Sequence, residues 1–109
     1  MATKLEFKNS PQEVTVREKL TYTFDLANWL AAGESVSTAT AKLLDDADNG
    51  EEITGAISGL AVNGGNSVTL TADWSIPAIG KNRSYVLLIK ATIGSQFKEG
   101  FARFKTFNL

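Results

Sequence analysis

The run Tyr85-Val86-Leu87-Leu88-Ile89-Lys90-Ala91-Thr92-Ile93 constrains this chain more than any other segment. It is apolar at both parities for most of its length, the pattern of a central strand covered on two sides, and it is expected to be the best protected strand of the fold. Gly94-Ser95 then separates Ile93 from Gln96, which predicts a two-residue type II′ turn. Phe97 to Leu109 returns antiparallel and carries Phe97, Phe101, Phe104 and Phe107. Successive strand residues point to opposite faces. Phe97, Phe101 and Phe107 share a parity that Phe104 lacks. Either a bulge lies near Gly100, or Phe104 packs against something outside the sheet.

The rest of the chain supplies more strands of the same kind. Leu20, Tyr22, Phe24 and Leu26 alternate with polar residues, and Glu13 to Arg17 does so more briefly, with Pro11 marking the strand entrance. Asp25 offers an N-cap oxygen to the segment 26–32, and Gly33 suits the left-handed close of a short helix whose core anchors are Trp29 and Leu30. Ser35 to Leu44 is a weaker strand of small and β-branched residues. Asp45 to Glu52 is a turn cluster holding Asn49-Gly50, a type I′ signal. Asn66 to Trp74 alternates again, with Val68, Leu70, Ala72 and Trp74 inward.

At 109 residues, 43% of them apolar, the chain suits one domain spanning 1–109, burying roughly two thirds of its unfolded surface. About seven short strands, regular turns and two Trp residues predict an all-β fold. The expected architecture is an immunoglobulin-like antiparallel β-sandwich with one short helical turn. Tyr85 stands where a tyrosine corner belongs, its hydroxyl bonded back to upstream backbone, although a plain core tyrosine fits the sequence equally well.

Composition then removes most chemistry. Without His the usual general base and transition-metal ligand are missing, and without Cys so are the thiolate and the disulfide. The expectation is a protein that is not an enzyme and holds no cofactor or metal. The start lacks a signal-peptide pattern, and no apolar stretch approaches the ~20 residues of a membrane helix, so no membrane role is expected. The net charge of −1 gives no basic field overall. Residues 1–75 carry −6, however, and residues 76–109 carry +5. The halves either interleave and neutralise one another or form opposite-sign patches that dock neighbouring subunits.

Three constellations bear on chemistry. Asp45-Asp46-Ala47-Asp48-Asn49-Gly50-Glu51-Glu52 could gather Ca²⁺, but counted from Asp46 the twelfth position is Ile57, where an EF-hand needs a bidentate Glu. It reads as a solvated turn. Asp25 and Asp73, beside Trp29 and Trp74, would serve a glycosidase only if brought within ~5–10 Å of each other, and nothing in the sequence does that. The basic, Phe-rich C-terminal third resembles a single-strand stacking platform in composition, but its aromatics are needed for the core, so no nucleic acid is expected.

Lys8-Asn9-Ser10-Pro11-Gln12-Glu13, Leu20-x-Tyr22-x-Phe24-Asp25-Leu26-x-x-Trp29-Leu30-x-x-Gly33-Glu34-x-Val36, then Trp74, Gly80, Tyr85, Gly94 and Phe97 to Phe107 together resemble small Ig-like proteins encoded among bacteriophage head and tail genes. The chain departs from that pattern in a longer Val14 to Leu20 segment and in the acidic insert Asp45 to Glu52. The resemblance implies a virion component assembled in the host cytoplasm. It would sit at the capsid surface, neck or tail, contact other phage structural proteins and itself, and carry no catalytic residue. The alternative is a carbohydrate or host-surface binding module built on exposed Trp or Tyr. The expected interface is the sheet bearing the last two strands, with Phe104 as anchor and Arg103 and Lys105 at the rim.

Overall fold

In the computed structural model, which describes residues 5–6, 12–46, 50–80 and 82–107, the described residues form eight strands. They are β1 Leu5–Glu6, β2 Gln12–Thr15, β3 Lys19–Asp25, β4 Thr38–Asp45, β5 Ile57–Asn63, β6 Ser67–Asp73, β7 Ser84–Ile93 and β8 Gln96–Phe107. Two sheets face each other. One runs β1-β8-β7-β4 with β2 also on β8, and the other runs β3-β6-β5. Pairing is antiparallel throughout, except that β1 and β2 lie parallel to β8. Pro11, the Asp48-Asn49 part of the acidic turn, and Lys8 to Ser10 of the phage-like motif lie outside the described residues.

The C-terminal hairpin forms as its sequence predicts. Gly94 has φ +63°, while Ser95 is not among the residues with positive φ, as a type II′ turn requires. Register then runs unbroken from Ile93↔Gln96 through Ile89↔Gly100 to Ser84↔Lys105. There is no bulge near Gly100, and Phe104 does not pack outside the sheet. One strict alternation sends Gly100, Ala102, Phe104 and Thr106 inward, and it leaves Phe97, Phe101, Arg103, Lys105 and Phe107 on the other face. Phe104 is 1% exposed. It is therefore the core phenylalanine of β8, and the three that share a parity are the outward ones. The sequence expectation erred by assigning the majority parity to the core.

β7 shows the same alternation. Tyr85, Leu87, Ile89, Ala91 and Ile93 are buried, whereas Val86 and Leu88 face outward and are half-buried. The strand is central because β4 and β8 bond both its edges, but none of the described strands forms a layer over its outer face. The other sheet contributes Phe24, Val68, Leu70 and Ala72, and Trp74 follows β6 into the same core. On β5 the ladder shifts between Ser58 and Ala61, and Gly59 takes φ +63° in that irregularity.

The predicted helix over 26–32 shrinks to a single 3-10 turn, Ala27–Trp29. Asp25 Oδ1 does accept the Ala27 N–H at 2.9 Å. Leu26, however, donates its own N–H to the Asn66 carbonyl and is fully buried, and Leu30 is already extended. Pinning Leu26 and Trp29 to the core leaves no room for a second helical turn.

The tyrosine corner is present. The Gly80 N–H donates to Tyr85 Oη at 2.6 Å. Thr106, fully buried, donates to the Gly80 carbonyl at 2.6 Å and accepts the Arg83 N–H at 3.1 Å. These bonds tie the segment before β7 to the end of β8 and satisfy polar groups whose burial would otherwise be costly.

Candidate interaction surface

The carboxylates that would have to cooperate in hydrolysis are far apart. Asp25 pairs with Ser67, and Asp73 with Lys19, so the two acids stand at opposite ends of the β3–β6 ladder. Six residues of strand separate them, roughly 20 Å at ~3.4 Å per residue, against the ~5–10 Å that a shared bond requires. The Asp73 carboxyl is held below its ordinary value by the hydroxyl of Ser75, then by the Ser75 backbone N–H. It is engaged in a local turn.

The acidic turn opens onto a cleft of about 440 Å³ lined in part by Asp45, Glu51, Glu52, Arg83 and Tyr85. Its best placed carboxylate is already committed, because Asp45 accepts a bond from Arg83 Nη2 at 2.6 Å. Among the described residues no three acidic side chains converge on one point. Millimolar Ca²⁺ is therefore expected to leave the thermal midpoint where it is. A rise of several degrees on adding calcium, reversed by chelation, would refute that, since a ligand at 100 times its Kd adds ~2.7 kcal/mol.

What the fold does assemble is a surface. Pairing places the outward side chains of β4, β7 and β8 in rows: Lys42 beside Leu88 beside Phe101, then Leu44 beside Val86 beside Arg103. The neighbouring rows hold Thr40, Lys90 and Glu99, and beyond them Thr38, Thr92 and Phe97. Glu13 of β2 lies in register with Lys105. Phe97 is 56% exposed, the one large hydrophobic side chain so exposed among the described residues. Phe101, Phe107, Val86, Leu88 and Leu44 are half-buried.

Each outward Phe carries a cation. Lys90 Nζ lies 4.6 Å from the Phe97 ring centre, and the Arg103 guanidinium and Lys105 ammonium lie 5.6 Å from the rings of Phe101 and Phe107. Such contacts hold the charge over the ring face and keep the long side chains close to the sheet.

Arg103 and Lys105 are thus on the surface where the sequence placed them, and Phe104 is not. Its ring packs 4.9 Å from that of Trp74 and 5.3 Å edge-on to Tyr22, so it cannot touch a partner. Sequence reasoning missed Phe97, Phe101, Phe107, Val86, Leu88 and Lys42. A usable signal existed. Glu99, Arg103 and Lys105 share the parity of Phe101, and a row of charged side chains does not line a sandwich core. The charge split does not map onto two faces, since Lys42 and Glu13 of the acidic half join Lys90, Arg103 and Lys105 on one.

Comparison with protein-family models and with curated proteins finds no match. Among solved structures the chain is similar to the crystal structure of the titin M3 domain, at 13% identity and a TM-score of 0.52, over 99% of this chain and 96% of that one. At that identity the likeness concerns architecture alone: the fold is an immunoglobulin-like β-sandwich.

Proposed function

We propose that this domain is a non-enzymatic structural component of a bacteriophage particle, at the capsid surface, neck or tail, and that it acts by protein–protein contact. The observation that carries the contact role is the outward face of β4, β7 and β8, where Phe97 stays 56% exposed beside half-buried Phe101, Val86 and Leu88. The phage assignment rests on the motif resemblance from Leu20 to Val36 and from Trp74 to Phe107. A glycan-binding role draws no support, because it needs exposed Trp or Tyr platforms. Trp74 and Tyr85 are at most 1% exposed, Trp29 is buried at 8%, and Tyr22 turns its hydroxyl to Trp74 Nε1 at 3.2 Å.

Quantitative mass spectrometry of gradient-purified particles tests this reading. The chain is expected at a fixed copy number relative to the major capsid protein. Recovery only in the unassembled fraction would exclude it as a virion component.

A further inference from the structure

We infer that this domain pairs with a second copy of itself through the open edge of β3, antiparallel and about a two-fold axis at Tyr22, so that the β3-β6-β5 sheets of the two copies become one. This contact does not depend on the particle reading. Among the described residues β3 is the edge of its sheet and bonds β6 alone. The Leu26 N–H donates to the Asn66 carbonyl and the Trp74 N–H to the Glu18 carbonyl, which sets the phase of that ladder. Leu20, Tyr22 and Phe24 therefore exchange their main-chain bonds with β6, and Lys19, Thr21, Thr23 and Asp25 turn their N–H and C=O groups to the open side. Such a row is a template for another strand.

The other edges are blunted. β8 carries β1 and β2, the end of β4 is bonded to the segment 51–53, and β5 is broken by the ladder shift at Gly59. β3 runs seven residues without Gly, Pro or a shift, and its charges stand at its two ends. The order Lys19-Leu20-Thr21-Tyr22-Thr23-Phe24-Asp25 selects the occupant, because it complements itself when reversed. Lys19 then faces Asp25 of the second copy, Leu20 faces Phe24, Thr21 faces Thr23, and Tyr22 faces its own counterpart. A shift of two residues either way shortens the ladder and separates Lys19 from Asp25.

The neighbouring groups agree with this register. Lys19 stands beside Asp73 on β6, so the arriving carboxylate completes a row of alternating sign. Asp73 is already engaged by Ser75, Asp25 keeps its bond to the Ala27 N–H, and Glu18 accepts the Thr15 N–H beyond the paired segment. On the outward face Thr21 and Thr23 meet Thr71 and Thr69 at 3.1 and 3.2 Å, and the second copy extends that row of hydroxyls. On the inward face it covers Leu20 and Tyr22, which the open edge leaves half-buried.

Sedimentation equilibrium up to ~1 mM, the weak end of the affinity scale, tests the pairing. The parent is expected to pass from one chain to two as concentration rises. In the double variant Thr21→Lys, Thr23→Lys the added charges face each other across the axis, and dimerisation is expected to weaken tenfold or more. Both sites are exposed, so its denaturant midpoint should match the parent's. Phe97→Ser, on the other sheet, should dimerise as the parent does. The chain has no Cys, so introduced thiols report the register. An equimolar mixture of Thr21→Cys and Thr23→Cys chains is expected to crosslink mainly between unlike chains, because facing Cα atoms lie ~5.5 Å apart, within disulfide reach, and like positions lie ~7–8 Å apart on the diagonal. A monomer at every concentration overturns the inference, as does a dimer that the double Lys variant leaves intact or that Phe97→Ser dissociates. Crosslinking mainly between like chains would overturn the axis at Tyr22.

Discussion

Phe104→Ala is expected to lower the urea midpoint of unfolding sharply, at a cost of about 3–5 kcal/mol, the range for truncating a buried phenylalanine. The upper end is expected, because its inward neighbours on β8 are Gly100, Ala102 and Thr106. None is long enough to swing into the vacated space, so the cavity persists. For a domain with ~5–15 kcal/mol in all, this leaves a marginal fold. Phe97→Ala, seven residues earlier and 56% exposed, should stay within about 0.5 kcal/mol of the parent. Equal midpoints for Phe104→Ala and the parent would place Phe104 outside the core and invalidate the alternation on which the interaction face rests.

Trp74→Ala should be comparably severe. The indole is fully buried, packs at a tilt against Phe104 and lies 6.2 Å from the Tyr85 ring, so its loss opens the centre of the aromatic cluster at a cost of about 3–5 kcal/mol. Trp74→Phe keeps much of the packing but removes the donor to Tyr22, and about 1 kcal/mol is expected from that bond. Tyr22 adds a pH signature. Burial pushes its hydroxyl above the ordinary phenol value, against the Trp74 N–H and with help from Glu18. The folded chain then keeps this proton to higher pH than the unfolded chain does. Stability that is fully present below pH ~10 is therefore lost as pH rises through the folded value. Tyr22→Phe should flatten that alkaline decline, measured as the denaturant midpoint against pH. A slope unchanged by the substitution would assign the decline to other groups.

Much of the architecture was legible because strands with a period of two announce their own faces. Leu20-x-Tyr22-x-Phe24 and Val68-x-Leu70-x-Ala72 each place one parity inward, and the ladder Tyr22↔Leu70 brings those parities together. Gly94-Ser95 specified its turn through backbone sterics alone. Tyr85 fitted a tyrosine corner after the Gly80 to Arg83 loop and a plain core tyrosine equally well, and the Gly80 N–H bond decides for the corner. The helix over 26–32 was misread because a local capping signal at Asp25 competes with burial of Leu26 and Trp29, and burial decided its length.

The surface was less legible for a related reason. Apolar content is a property of composition, whereas which apolar residues remain uncovered depends on how many layers the fold stacks. Val86 and Leu88 read as the second face of a doubly covered strand, but the described residues make two layers and none of them lies beyond β7. The four phenylalanines of β8 likewise obey one alternation whose phase is set by β7 and β6 across the core, through Tyr85↔Phe104 and the packing of Phe104 on Trp74. The long alternating strands, the Gly94-Ser95 turn and the class of fold follow from local sterics and periodicity, and so are readable in the chain before it folds. Which face of the last strand lies inside depends on what another sheet brings up against it, and so is fixed by the packing of Phe104 on Trp74 and not by local pattern.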